Sequence, residues 1–220
     1  VRPLLVVRFA IDGDLRFLSH HDTVRLFARV LARAAWPVKF SEGFNPKPKL
    51  SLPLPRNVGI ASEDELLVVE LAESIAPDEA LGRLVCHVPD GIRVHSVQPA
   101  SAKAKPQPVR CWYTVDLEDP PASLVTRLRA FLEANTHTVQ RTTPGSRKVK
   151  SVDVRSYVES ATFDGKRLTL QLRVTPEGAA RPMEVLAAIG LPDRALAHRL
   201  RRTRVEWTPL ETPAAPADAS

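Results

Sequence analysis

A mixed α+β fold is predicted for this 220-residue chain, with one order of elements, β-α-β-β-α-β, used twice. Three observations carry it. Short apolar runs of strand character alternate with stretches of helical periodicity. A segment holding Pro99, Pro106 and Pro108 with Ser, Ala and Lys interrupts the pattern. Beyond it the same order of elements begins again. The doubled order is the split-βαβ, or ferredoxin-like, arrangement in tandem. The expected organisation is an N-terminal unit over residues 1–98, a linker over 99–109, a C-terminal unit over 110–210 and a flexible tail over 211–220.

Leu4 to Phe9 reads as a buried strand, and Asp12-Gly13-Asp14 as a turn. Ser19 and Asp22 have capping-box spacing at the start of a helix. Val24, Phe27, Ala28, Leu31, Ala34 and Ala35 would form its inner face, and Trp36-Pro37 would end it. Val38 to Ser41 and Leu66 to Leu71 are strands, with a loop dense in Pro, Gly and Asn between them. Pro77 opens a second helix with Ala80, Leu81, Leu84, Val85 and Val88 on one face, and a strand through Ile92, Val94 and Val97 closes the unit.

In the second half, Trp112 to Leu117 is a strand. Pro120-Pro121 leads into a helix with Leu124, Val125, Leu128, Phe131 and Leu132 inward. Val152 to Phe163 and Arg167 to Val174 flank an Asp164-Gly165 hairpin turn, with Leu168, Leu170, Leu172 and Val174 on one buried face. A helix from Pro182 to Ile189 and a strand from Arg204 to Thr208 follow.

Composition narrows the function. Hydrophobic residues at 44% and charged residues at 25% are those of a folded chain, not a disordered one. Two cysteines, Cys86 and Cys111, exclude a disulfide framework. No CxxC pair points to zinc, and no CxxxCxxC motif points to an iron–sulfur cluster, so neither metal nor cofactor is expected. Phosphate-binding glycine motifs and a serine nucleophile elbow are also missing. The longest apolar runs, Leu4 to Val7 and Leu66 to Val69, are too short to span a bilayer, and no secretory pattern opens the chain. A cytoplasmic protein with no membrane partner is the expectation. Because the first residue is Val1, the chain reads either as trimmed at its start or as a piece of a longer polypeptide.

The net charge of +6 is unevenly placed. Residues 1–100 balance, with 12 Lys/Arg and 12 Asp/Glu, whereas residues 101–220 carry 19 basic groups and 13 acidic ones. The excess sits in one cluster of Arg141, Arg147, Lys148, Lys150 and Arg155, and another of Arg194, Arg199, Arg201, Arg202 and Arg204. Such clusters attract polyanions by neutralising phosphates and releasing counterions.

Three segments hold the candidate binding residues. At the start of the first helix, Ser19, His20, Asp22 and Arg25 sit where unpaired N–H groups favour an anion. His21, Arg25, Arg29 and Arg33 recur every four residues along one helical face. The bland reading is a capped helix with a solvated arginine face. The second segment is the loop with Ser41, Gly43, Phe44, Asn45, Lys47 and Lys49, stiffened by Pro46 and Pro48. Phe44 would either stack on a base or a partner's apolar surface, or anchor the loop in the core. The third is Arg147, Lys148, Lys150, Asp153 and Arg155, with Asp153, Arg155 and Tyr157 on one face of a strand behind a phosphate-seeking basic loop.

Taken together, Leu15-Arg16-Phe17-Leu18-Ser19-His20-His21-Asp22, the stretch from Phe40 to Ser51, Pro53-Leu54-Pro55 and Val58-Gly59 resemble the radical SAM-linked family of DUF2344 domains. Lys150-Ser151-Val152-Asp153-Val154-Arg155 with Tyr157 resembles its second-half motif. This sequence departs at His21, where the family usually has an apolar residue, at Phe40, where Tyr is frequent, and at Ser156, where Pro is common. The resemblance implies a chain that works beside, or fused to, a radical SAM protein. The resulting expectation is a non-catalytic accessory module that binds RNA, tRNA or rRNA, and presents it for modification. The alternatives are a protein-docking module without nucleic acid, and a metal-independent RNA-processing enzyme with His20 or His21 as base and Lys49 or Arg25 stabilising charge.

Overall fold

The computed structural model describes residues 3–101, 104–142, 149–192 and 194–210. It is a mixed α+β chain of largely antiparallel sheet with, among the described residues, four α-helices. The chain divides into two compact units, one of residues up to Gln107 together with the chain from Trp207, the other Pro108–Glu206.

In the first unit β1 (Leu4–Ile11) pairs antiparallel with both β3 (Ala61–Glu70) and β4 (Ile92–Ala100), and the short β2 (Leu50–Ser51) adds to the far edge of β3. The order is therefore β4-β1-β3-β2. Alternation along β1 sends Leu5, Val7, Phe9 and Ile11 to one face, where α1 (His20–Arg33) and α2 (Pro77–Val85) bury Phe27, Leu31 and Leu84 against them. Phe9 and Phe27 meet edge to face, with ring centroids 4.6 Å apart.

The inner stripe of α1 is Thr23, Phe27, Val30, Leu31 and Ala34, turned from the expected one, so that Val24 and Ala28 lie at its margin. The helix ends before Pro37. Ala35 takes the left-handed conformation at φ 51°, and Trp36 N–H returns to the Leu31 carbonyl at 3.1 Å. Val38 to Ser41 is not a strand. It makes only isolated bridges, Val38 to Leu71 and Phe40 to Pro48, because the chain folds back on itself before it can run along the sheet. In α2, Val85 faces solvent instead of the core.

In the second unit β5 (Pro108–Asp116) lies between β9 (Arg167–Thr175) and β11 (Arg201–Trp207), while β8 (Val158–Phe163) and β10 (Gly178–Ala179) pair with the other side of β9. Cross-strand partners Cys111–Leu172, Tyr113–Leu170 and Val115–Leu168 share one buried face. Leu124, Leu128 and Phe131 of α3 (Leu124–Glu133) and Val185 and Leu186 of α4 (Pro182–Ala188) are buried too, whereas Val125 is exposed, contrary to expectation.

At the β8–β9 turn only Gly165 has positive φ; the Asp164 carboxylate accepts from the Lys166 and Arg167 amides at 2.9 and 2.7 Å. The stretch 152–163 is not one strand. β7 (Val149–Asp153) pairs with β6 (Thr138–Thr142) as a separate hairpin, and Arg155–Tyr157 forms a 3-10 turn before β8. Strand structure reaches Ala100 on one side of the expected linker and resumes at Pro108 on the other, so the linker is shorter than composition implied. The tail over 211–220 lies outside the described residues.

Candidate functional site

The start of α1 is built as its sequence promises. Ser19 Oγ accepts from the Asp22 amide at 3.2 Å and donates its own proton to Asp22 Oδ2 at 2.7 Å. Asp22 Oδ1 accepts from Arg25 Nη1 at 3.3 Å. The serine hydrogen bond, ahead of the arginine, holds the Asp22 carboxyl below the usual carboxylate range.

Behind this cap lies a feature that sequence reasoning missed. His20 and Thr23 of α1, Arg56 and the buried Glu65 of β3 line a cavity of about 10 Å³ walled by Phe9 and Leu52. It has room for about one water molecule and none for a nucleotide or a peptide side chain. Burial, and secondarily the neighbouring His21, push the His20 imidazole below its ordinary value, while Glu65 acts against them. Both influences favour the uncharged form of the His20 imidazole. Arg56 organises the surroundings, with Nη1 donating to the Arg16 and Ile60 carbonyls at 2.5 and 2.7 Å and Nη2 to that of Leu18 at 3.3 Å. The available signal was one acid, Glu65, directly before the apolar run Leu66 to Val69 of a buried strand.

The loop after α1 is a small closed hairpin. Ser41 N–H donates to the Lys47 carbonyl at 2.8 Å, Lys47 N–H to Ser41 Oγ at 2.9 Å, and Lys49 N–H to the Lys39 carbonyl at 2.7 Å. Gly43, at φ 115°, lets the chain reverse at the tip. Phe44 stands there fully exposed and touches no core, which overturns its reading as a core anchor. Phe40 at the hairpin base is also half uncovered, and Glu42, Asn45 and Lys47 face solvent. Lys49 instead pairs with Glu70 at 3.7 Å. Since Glu65 and Glu70 are five positions apart on β3, roughly 17 Å of strand separates the Lys49 end from the His20 cavity. The structure does not gather His20 and Lys49 into one site.

In the second unit the fold engages Asp153, Arg155 and Arg141 of the predicted basic segment. Arg147 and Lys148 lie outside the described residues. Lys150 is exposed on β7. Asp153, instead of facing solvent beside Arg155, accepts from the His137 and Arg155 amides at 2.8 and 3.1 Å. Arg155 follows the end of the strand, so the expected face of Asp153, Arg155 and Tyr157 does not form. Its guanidinium donates to the Leu132 and Val158 carbonyls, each at 2.8 Å, and lies 5.9 Å from the Phe131 ring centroid. Arg141 is clamped by Glu184. Of the second cluster, Arg202 is buried, Arg199 pairs with Glu118 at 3.2 Å, and Arg204 covers Trp112 at 4.7 Å.

The molecule is thus an α+β protein whose most conspicuous exposed feature is a hydrogen-bonded hairpin with an aromatic tip. By its sequence it belongs to the DUF2344 family, described as "Uncharacterized protein conserved in bacteria", whose model matches residues 5–183. No curated protein matches the chain. Among solved structures it is similar to one described as "Crystal Structure of an Unknown Protein from Galdieria sulphuraria", with 14% identity over 94% of this chain and 98% of that one, and a TM-score of 0.29. No helix among the described residues is long and apolar enough to cross a membrane.

Proposed function

We propose that this chain is a non-catalytic, cytoplasmic accessory module that docks on a radical SAM protein through the hairpin around Phe44. The carrying observation is the full exposure of Phe44 on a hairpin whose backbone is already closed by its own hydrogen bonds. An aromatic side chain left in water forgoes about 1.5–3 kcal/mol of burial, and a pre-ordered loop loses little entropy when that ring is covered by a partner. The radical SAM protein enters through the family resemblance carried by the same loop. Each unit is read as ferredoxin-like, and the pair as a duplication. Support comes from the orders β4-β1-β3-β2 and β11-β5-β9-β8, in which the first strand lies between the fourth and the third.

RNA presentation is the second reading, favoured by Lys47, which is exposed on the same hairpin as Phe44, so that a base would stack on the ring and a phosphate meet the ammonium. Co-expression with the radical SAM protein of the same genome separates the two. A purified complex that survives nuclease and is lost in Phe44→Asp supports docking. A complex lost to nuclease, with salt-dependent binding of RNA by the chain alone, supports presentation. Absence of both a complex and RNA binding rejects the proposal.

A further inference from the structure

In the first unit, α1 and the segment 86–89 that follows α2 leave an open groove of about 450 Å³. Two contacts fasten the helices at one end: Trp36 Nε1 donates to the Ala80 carbonyl at 3.2 Å and Arg83 Nη1 to that of Ala35 at 3.1 Å. Leu26, Val88 and the largely covered Val30 supply the groove's apolar lining, with Arg29 and Arg33 contributed by α1 and His87 by the segment after α2.

The arginines of this groove differ from four others in the unit. Arg8, Arg25, Arg83 and Arg93 each face a carboxylate. Arg29 and Arg33 are exposed, and among the described residues no hydrogen bond or ion pair engages either guanidinium. No carboxylate lines the groove. The two arginines sit one helical turn apart, a rise of about 6 Å, which matches two carboxylates four positions apart on a facing helix. Each guanidinium presents a planar fork suited to a carboxylate.

We propose that this groove binds an acidic amphipathic helix of a partner protein, with leucine-type side chains on the Leu26–Val30–Val88 lining and carboxylates on Arg29 and Arg33. The apolar lining separates this occupant from RNA, whose phosphates would answer the arginines but leave the apolar surface in water. The inference stands apart from the Phe44 hairpin and needs no radical SAM partner.

The test uses fluorescence anisotropy of the full chain with a fluorescein-labelled peptide, Glu-Glu-Leu-Leu-Glu-Glu-Leu-Leu. Saturable binding is expected. R29E/R33E should weaken it by about tenfold or more, and Phe44→Ala should leave it unchanged. An octamer of glutamate alone should bind at least about tenfold more weakly than the mixed peptide. Both arginines are exposed, so the double variant should keep the parent melting curve, recorded by circular dichroism. Failure of the wild type to bind, equal binding of polyglutamate, indifference to the double reversal, or full displacement by an RNA oligonucleotide at equal charge would each overturn the proposal.

Discussion

Arg141 grips Glu184 with two parallel bonds, Nε to Oε1 at 2.7 Å and Nη2 to Oε2 at 2.6 Å, and its Nη2 also reaches the Ala179 carbonyl at 2.8 Å. Glu184 in turn accepts from the Arg181 amide at 2.9 Å, which caps α4. The pair thus ties β6 to α4. Arg141 is drawn out of the predicted phosphate-binding cluster into the framework.

Removing that clamp should cost stability. Both side chains are mostly covered, at 19% and 16% exposure, so Glu184→Ala leaves a guanidinium without its carboxylate and a helix without its cap. The expected loss is about 2 kcal/mol in urea unfolding. An unchanged midpoint would show that the pair is only superficial.

Arg155 does comparable work on backbone carbonyls. Arg155→Lys keeps the charge but cannot span Leu132 and Val158 with a planar fork. Destabilisation of about 1–2 kcal/mol is expected, although net charge is preserved. A purely electrostatic role would leave lysine equivalent in the same melt.

Phe44→Ala should leave unfolding within about 0.5 kcal/mol of the parent, because the ring contacts no core, while abolishing partner capture. A large loss of stability would assign the ring a structural role.

Ala35 occupies the left-handed region without being glycine. Ala35→Gly removes the Cβ clash and should raise stability by about 0.5–1 kcal/mol, read as an increase in Tm. A decrease would mean that the greater freedom of glycine in the unfolded chain outweighs the relieved strain.

His20 should impose a pH dependence. Its pKa is lowered in the folded state, chiefly by burial, so the unfolded chain binds the proton more readily. Stability from this group is present above about pH 6.5 and declines as pH falls through the lowered folded value. His20→Gln should flatten that part of the denaturation profile; an unaltered slope would remove His20 as its source.

Local chemistry was enough to place most elements. The Ser19 cap, the Pro77 start of α2, the Asp164-Gly165 turn and the alternation of Leu168, Leu170 and Leu172 rest on contacts within a few residues or on a two-residue period, so a linear reading reaches them. The reversal of the chain at Gly43 was legible for the same reason. What Phe44 faces was not, because exposure depends on what the rest of the chain leaves uncovered. The fates of the arginines were equally hidden: Arg141 meets a carboxylate 43 positions away, and Arg155 a carbonyl 23 positions away. The Glu65 cavity likewise exists only where α1, β3 and the chain around Arg56 converge. Sequence determined most of the elements and the family. Tertiary structure decided which charges remain available to a partner, since a cation is neutralised by whatever the fold brings near it.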